Sequence, residues 1–594
     1  MESTSKLAKH NRRLRSLAGG AACVSLALVF PVASAHSRVQ DSLVIATPFE
    51  VGESPAGNYL AAYIAGGEHD TFAAATFFRE ALRYDPRNTG LIERAFVAAV
   101  SNGNMQDAFS LADRLLERDP KNTLARLAIG VKAIKAKRFA AARAQFLAAA
   151  SGQQHDISSI LLTAWTYAGT HDVRRALNLV DKLRSGNFAV FRDFHAALIA
   201  DVANDSKEAS KRMKAAYAAD KTTLRLVDAY ARFAARRDDR GEAVRAYQAY
   251  DQVSPNHPIV EAMLAEIKSG KPVAPLVKNA EEGAAEVLYG LGTLVSQQQG
   301  GEIDALIYLR LALYLAPQNA LAIMSLGELY ERMKQNEQAI DVYEIVPATD
   351  PLRTTAEIQT GQILEAMGRP DDAAKHLQRI VEENPGSDDA LSALGNLQRA
   401  HKQYGQAIET YSRVLAKASA PEKANWPIYY FRGISYEREK KWPQAQADLM
   451  QALALFPDQP LVLNYLGYSW VDQGMNLEEA FNMLQRAVEL RPNDGYIVDS
   501  LGWANYKLGR IEEAVKQLER AIDLKPSDPV INDHLGDAYW RAGRKLEAHF
   551  QWNHARDLGP EPEDKDKILF KIEHGLDDEQ TPSAAQAEAK KNGG

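Results

Sequence analysis

A chain of 594 residues with 46% hydrophobic and 25% charged residues can bury a large core, which excludes wholesale disorder, collagen and a polytopic membrane protein. One cysteine excludes a disulfide framework, a cysteine-rich zinc module and an iron–sulfur cluster. The net charge of -7 is unevenly spread: residues 51–250 hold 29 Lys+Arg against 22 Asp+Glu and residues 251–594 hold 35 against 52, and neither part carries the dense basic stripe of a nucleic-acid-binding protein.

At the N-terminus, Lys6, Lys9, His10, Arg12, Arg13 and Arg15 precede an apolar run from Leu17 to Phe30 and the small residues Ala33-Ser34-Ala35. This succession predicts a secretory signal peptide over residues 1–35, cleaved after Ala35 to leave His36 in front. The apolar run falls short of the roughly 20 residues of a membrane span; an uncleaved inner-membrane anchor is the alternative, and membrane association is expected only through this segment. Cys23 lies inside the run and leaves with the signal. Residues 36–56 are expected to be an extended mature N-terminus.

From there the chain repeats itself. Glycines at Gly292, Gly327, Gly361, Gly395, Gly433, Gly467, Gly502 and Gly536 stand 34 or 35 residues apart, except for a step of 38 across an insertion at Pro421 to Asn425. An alanine near twelve residues after each glycine extends the register into the first half: Ala74, Ala108, Ala142, Ala176, Ala209 and Ala243, then Ala305, Ala339, Ala373, Ala407, Ala445, Ala480, Ala514 and Ala548. Prolines recur twelve residues later, as at Pro86, Pro351, Pro492 and Pro526, where they stop a helix. Each unit therefore reads as two helices joined by a turn. Gly or Ala on the first is expected to face Ala on the second, with Phe78, Phe146, Tyr343, Tyr411 and Trp552 filling space between units. The register assigns six degenerate units to 57–255, an extra helix and linker to 256–284, eight units to 285–560, a capping helix to 561–576 and a disordered tail to 577–594. The extra helix is Pro258 to Lys268, and a step of 62 residues between Ala243 and Ala305 marks the boundary between the blocks.

With its period of 34 and its Leu-Gly, Tyr, Ala, Phe, Ala, Pro pattern, the sequence resembles the tetratricopeptide repeat family. The resemblance implies an all-α, right-handed superhelical solenoid that binds proteins, and it covers most of the chain.

No motif carries catalysis. Histidine spacing offers no i, i+4 zinc pair, phosphate loops and serine elbows are absent, and acid pairs such as Asp371-Asp372 and Glu512-Glu513 sit at helix starts, where carboxylates offset the helix dipole. No catalytic residue, cofactor, metal or small-molecule substrate is expected. The resemblance implies that first-helix residues three before, one after and four after the repeat glycine line a concave surface. In the last four units that set includes Glu437 and the nine residues expected to bind the partner, Tyr430, Asn464, Tyr468, Asp499, Trp503, Tyr506, Asp533, Asp537 and Trp540. Aromatic rings with interleaved carboxylates suit a protein or extended peptide with basic or aromatic side chains. The expectation is an exported, non-catalytic scaffold of the bacterial cell envelope, periplasmic, serving envelope or outer-membrane assembly. A membrane-anchored adaptor and a targeting subunit of an enzyme complex are the alternatives, and the basic first half is a further place for a partner.

Overall fold

The computed structural model of the chain describes residues 51–52, 54–150, 157–183, 188–417 and 423–576. The expected signal peptide, most of the 36–56 segment and the tail from 577 lie outside the described residues. From Ser54 onward the described residues form one compact unit of thirty α-helices with no strand among them.

Local sequence sets the helix starts. Asp70, Asn88, Asn122, Asn319 and Ser387 each accept the backbone N–H three residues on, and Pro258, Pro370, Pro460 and Pro529 open helices where the missing N–H costs nothing. Six helix-turn-helix pairs come first: α1 (Pro55–Gly67) with α2 (Thr71–Tyr84), α3 (Thr89–Asn102) with α4 (Met105–Arg118), and α5 (Thr123–Lys135) with α6 (Phe139–Ala149). They continue as α7 (Ile157–Gly169) with α8 (Val173–Val180), α9 (Ala189–Val202) with α10 (Ser206–Ala219), and α11 (Leu224–Ala235) with α12 (Arg240–Asp251). A single helix, α13 (Pro258–Lys268), precedes eight more pairs. These are α14 (Ala280–Ser296) with α15 (Glu302–Leu315), α16 (Ala320–Arg332) with α17 (Asn336–Glu344), α18 (Arg353–Ala366) with α19 (Pro370–Glu383), and α20 (Asp388–Ala400) with α21 (Tyr404–Leu415). The last four are α22 (Trp426–Arg438) with α23 (Trp442–Leu455), α24 (Pro460–Asp472) with α25 (Leu477–Leu490), α26 (Gly495–Lys507) with α27 (Ile511–Leu524), and α28 (Pro529–Arg541) with α29 (Lys545–Asp557). One more helix, α30 (Pro562–His574), ends the described chain.

All fourteen register alanines are buried, none more than 3% exposed. The repeat glycines work differently from the sequence expectation. A Cβ on Gly327 would lie 2.4 Å from the Tyr343 ring, one on Gly395 2.6 Å from Tyr411, and one on Gly536 2.4 Å from Trp552. The large second-helix residue of the same unit, four positions past the alanine, thus lies over the glycine, and Gly130 receives Phe146 in the same way. These rings fill the unit itself, and some also reach the next one: Tyr411 stacks on Phe431 of α22 at 6.4 Å. The alanine follows from that seat: with a ring pressed onto the first helix, only a methyl group fits one turn earlier.

Close contacts skip from first helix to first helix, as from α24 to α26 and from α26 to α28, and are sparser between second helices, so first helices line the inside of the curve. In the first block that inside is filled. α14 packs against α7 and α9, and α15 against α3 and α5. Two glycines outside the repeat register make this possible: a Cβ on Gly283 would meet the Trp165 indole at 2.3 Å, and one on Gly290 would meet Phe191 at 2.7 Å. Polar contacts complete the seam. Arg225 donates twice to the Glu286 carboxylate, at 2.9 and 2.5 Å; Lys135 reaches Glu281 at 2.7 Å and the Leu315 carbonyl at 2.9 Å; and the Tyr330 hydroxyl donates to the Ser101 carbonyl at 3.3 Å. The interior of the basic half is therefore occupied by the chain's own next helices.

Candidate functional site

The inner face of the last four units is built from α22, α24, α26 and α28. Tyr430 is buried, with the Tyr465 ring edge-on at 6.0 Å and Trp426 at 6.3 Å, and burial pushes its hydroxyl up to about 12. Asn464 is half-buried with a buried Oδ1 that has no hydrogen-bond partner. Tyr468 is half-buried one turn on, its hydroxyl pushed up by burial and by the carboxylates of Asp472, Asp499 and Asp564.

Deeper toward the end of the array the face closes. Trp503, 8% exposed, is stacked between Tyr506 at 4.8 Å and the His534 ring at 4.0 Å, and its buried Nε1 has no acceptor. Asp499 is buried and lies 3.0 Å from His534 Nδ1. Burial alone would lower the His534 pKa, but Asp499, with Asp533 and Asp537 beyond it, outweighs burial and pushes it up. His534 is not among the residues expected from the sequence; its position beside Asp533 and one first helix on from Asp499 is the signal that points to it.

The concave surface expected from the sequence is covered at α28, because α30 lies there. Lys571 Nζ is 2.8 Å from Asp533 and 2.8 Å from Asp537. Burial works against the Lys571 charge, but the two carboxylates more than restore it and raise its pKa. Asp537 also accepts from Trp552 Nε1 at 2.9 Å, and burial with Asp533 close by raises it against the pull of Lys571. Trp540 Nε1 donates to the Leu576 carbonyl at 3.2 Å, and Lys545 Nζ sits 3.6 Å from the centre of its ring. Gly575, at φ +77 and ψ -167, rests on the same indole, where a Cβ would meet Trp540 at 2.1 Å. At its other end Glu561 reaches Lys402, on the turn between α20 and α21, at 3.4 Å. The last helix therefore crosses the inner face.

Of the nine positions, the structure brings Asp499, Trp503 and Tyr506 into one cluster around His534, and Asp533, Asp537 and Trp540 into another under α30. Tyr430, Asn464 and Tyr468 lie on the adjoining α22 and α24. The positions missed by sequence reasoning are Lys571 and Gly575.

Elsewhere, a cleft of about 830 Å³ opens where α11 and α13 meet the start of α14 and the turn before α16. Its charged walls are paired, Arg225 with Glu286 and Arg232 with Asp228. Among the described residues no group of three His, Cys, Asp or Glu side chains is arranged to hold a metal ion, and no helix is long and apolar enough to cross a membrane.

Comparison with known proteins gives consistent family matches. Models described as tetratricopeptide repeat match residues 94–156, 364–424 and 432–495, and one described as TPR repeat matches 502–543. A TPR repeat-containing protein of Pseudomonas aeruginosa is 30% identical over 199 residues, and the match covers 32% of this chain and 32% of that one. The human protein O-mannosyl-transferase TMTC1 is 25% identical over 176 residues, 30% of this chain and 20% of that one. The chain thus spans about a third of the first relative and a fifth of the second. The crystal structure of the APC/C hetero-tetramer Cut9–Hcn1 aligns with 88% of this chain and 97% of its own at 16% identity, with a TM-score of 0.36. Matched segments on both sides of the break near residue 270 put the degenerate first half in the same class as the second: the chain belongs to the tetratricopeptide-repeat family.

Proposed function

We propose that this chain is a non-catalytic protein-interaction scaffold of the bacterial cell envelope, and that it takes its partner on the concave face between α18 and α26. The observation that carries this reading is the asymmetry of the inner surface. It is plugged by α14 and α15 at the front and crossed by α30 at the back. Between them it presents exposed Gln362 and half-buried Asn396 and Ile434, with half-buried Tyr468 at the edge that Asp564 of α30 approaches. Aromatic rings interleaved with polar groups at consecutive first helices suit a polypeptide, since rings bury much area at small entropic cost and polar groups fix register. The partner is protein, with basic or aromatic side chains; nucleic acid and small-molecule substrates are not proposed.

The deciding experiment is photocrosslinking in intact cells. A photoreactive residue at Gln362 or Asn396 should capture the partner, whereas one at Met450, exposed on the outer helix α23, should not; equal capture at all three would remove the concave-face reading. Export is proposed from the N-terminal sequence pattern, with cleavage after Ala35. N-terminal sequencing of the mature protein should begin at His36, and a chain of full mass in the membrane fraction would favour the anchored adaptor. The partial match to a protein O-mannosyl-transferase keeps a second reading in view, a targeting subunit of an enzyme complex. Identification of a glycosyl-transferring enzyme among the crosslinked species would favour it.

A further inference from the structure

The last helix differs from every other helix of the stack in how it is held. Of its thirteen residues Ile568 alone is buried, whereas α28 beneath it buries eight. No aromatic ring of α30 sits in a glycine seat on a neighbour, and Phe570 points outward, 54% exposed. It packs on α29, with Ile572 and Leu576 partly buried against the same cluster as Ile568, and its other fixtures are polar: Lys571 between Asp533 and Asp537, the Leu576 carbonyl on the Trp540 indole, and an ion pair between Glu561 and Lys402 whose side chains are 64% and 69% exposed. A pair that exposed contributes little. The fit is also incomplete, because the inner face keeps two buried groups without partners, the Trp503 Nε1 donor and the Asn464 Oδ1 acceptor. A native core pairs such groups.

We propose that α30 is a displaceable internal occupant of a groove formed by α24, α26 and α28, and that the external ligand of this groove is an amphipathic helix whose single lysine enters the Asp533–Asp537 seat. This deepens the concave-face reading and rests on it. The seat selects an ammonium, because two carboxylates of adjacent helical turns converge on one nitrogen at 2.8 Å. Apolar side chains three before and one after the lysine, where α30 places Ile568 and Ile572, meet the cluster that holds Tyr506 and Trp540. A partner helix with hydrogen-bonding groups over Trp503 and Asn464 would satisfy what α30 leaves unpaired. Exchange with α30 makes the groove self-shielded until such a helix arrives, and it restricts binding to ligands that outcompete a tethered segment, whose effective concentration is high.

The test uses the full chain and, as probe, a fluorescein-labelled peptide with the sequence of residues 561–576. Lys571→Ala combined with Gly575→Ala removes the two specific fixtures of α30. The labelled peptide should bind this variant at least tenfold more tightly than the parent chain, and a peptide with alanine in place of the lysine should lose at least tenfold. Hydrogen exchange on the same variant should show lost protection in α30 with α26 and α28 still protected. Equal peptide binding by parent and variant would overturn the proposal. So would loss of protection in α26 and α28 together with α30, which would make α30 a fixed part of the stack, and so would an α30 that stays protected. A chain that fails this assay while still crosslinking a partner through Gln362 would lose the exchange mechanism and keep the concave-face reading.

Discussion

Two helical segments lie inside this superhelix, and they are held by different physics. α14 and α15 enter the first block through seats cut by Gly283 and Gly290, with rings pressed against backbone and a bidentate Arg225–Glu286 pair sealed at the seam. α30 lies on the last block through one fully buried isoleucine, the partly buried Ile572 and Leu576, one lysine and a tryptophan edge. The first arrangement has no partial opening, because withdrawing α14 would uncover apolar surface on α7 and α9 and strand buried charge. The second can open locally, since a departing Lys571 leaves both carboxylates to water. Occupying a groove is thus not one structural role: whether the occupant is core or lodger depends on what remains uncovered when it leaves.

The largest expected effect separates the two. Glu286→Ala should destabilise the whole chain by roughly 3 kcal/mol, because the half-buried Arg225 loses the carboxylate it donates to twice and keeps only Asp228 at 3.7 Å, and the loss should appear as a lowered melt and lost hydrogen-exchange protection from α7 to α12. Lys571→Ala should instead leave the melt within about 1 kcal/mol of the parent, with exchange raised in α30 alone.

Acid should act on the two regions with opposite sign. His195, buried among Trp165, Phe191 and Phe194 and accepting from Trp165 Nε1 at 3.3 Å, is pushed down to about 3 by burial and stays neutral. An unfolded histidine titrates near 6.5, so the unfolded state binds more protons between pH 6.5 and 3, and the first block should lose on the order of a few kcal/mol as pH falls through that window. His534 is raised by Asp499 once burial is outweighed. Its contribution is fully present below the unfolded value and is lost as pH rises from about 6.5 through the folded value. Protection factors in α9 and α28, corrected for the intrinsic pH dependence of exchange and measured from pH 5 to 8, should therefore move in opposite directions, and parallel movement would contradict these assignments.

Within the stack under α30, Ala514→Leu should cost about 1–3 kcal/mol by overpacking a position with no exposed surface. Its effect on α26 and α28 would confirm that the floor is core while the occupant is not. Trp503, expected from the sequence to face a partner, is buried, and Trp503→Ala should cost about 3 kcal/mol or more, as for a buried tryptophan. The smallest effect is a gain. Lys440, at φ +61, occupies the turn position held by Gly509 and Gly543 in later units, and Lys440→Gly should stabilise the chain by roughly 0.5–1 kcal/mol in a denaturant titration, through relief of left-handed strain.

What the sequence made legible follows from how repeats encode structure. A ring over Gly327 and a methyl at Ala339 are requirements between residues at fixed offsets, so they recur every 34 residues and can be read without coordinates. The contact of Gly283 with Trp165 joins positions at an offset that occurs once, and the Lys571 seat, although about one repeat from Asp533 and Asp537, falls on a helix that carries no repeat glycine. Periodicity is silent about them, which is why α14 read as the start of a second block and α30 as an end cap. The traces they left were departures: glycines on α14 with no place in the register, and a glycine closing a helix near a lysine that faced no carboxylate on its own helix. The inner positions of α26 and α28 were correctly placed on the first helices, but their exposure depended on those same non-periodic contacts.

The seat of α14 also bears on how the chain is made. A repeat array folds progressively when each unit needs only its neighbour, and the first six pairs leave a ribosome or a translocon before α14 does. Their inner surface, with Trp165 and Phe191 awaiting Gly283 and Gly290, stays uncovered through the synthesis of some thirty further residues beyond α12. During that interval the nascent half exposes an aromatic face of the kind that holding chaperones recognise and that promotes association between unfinished chains. A fragment ending after α13 should accordingly be aggregation-prone when expressed alone, and α14 supplied as a separate peptide should keep it dispersed.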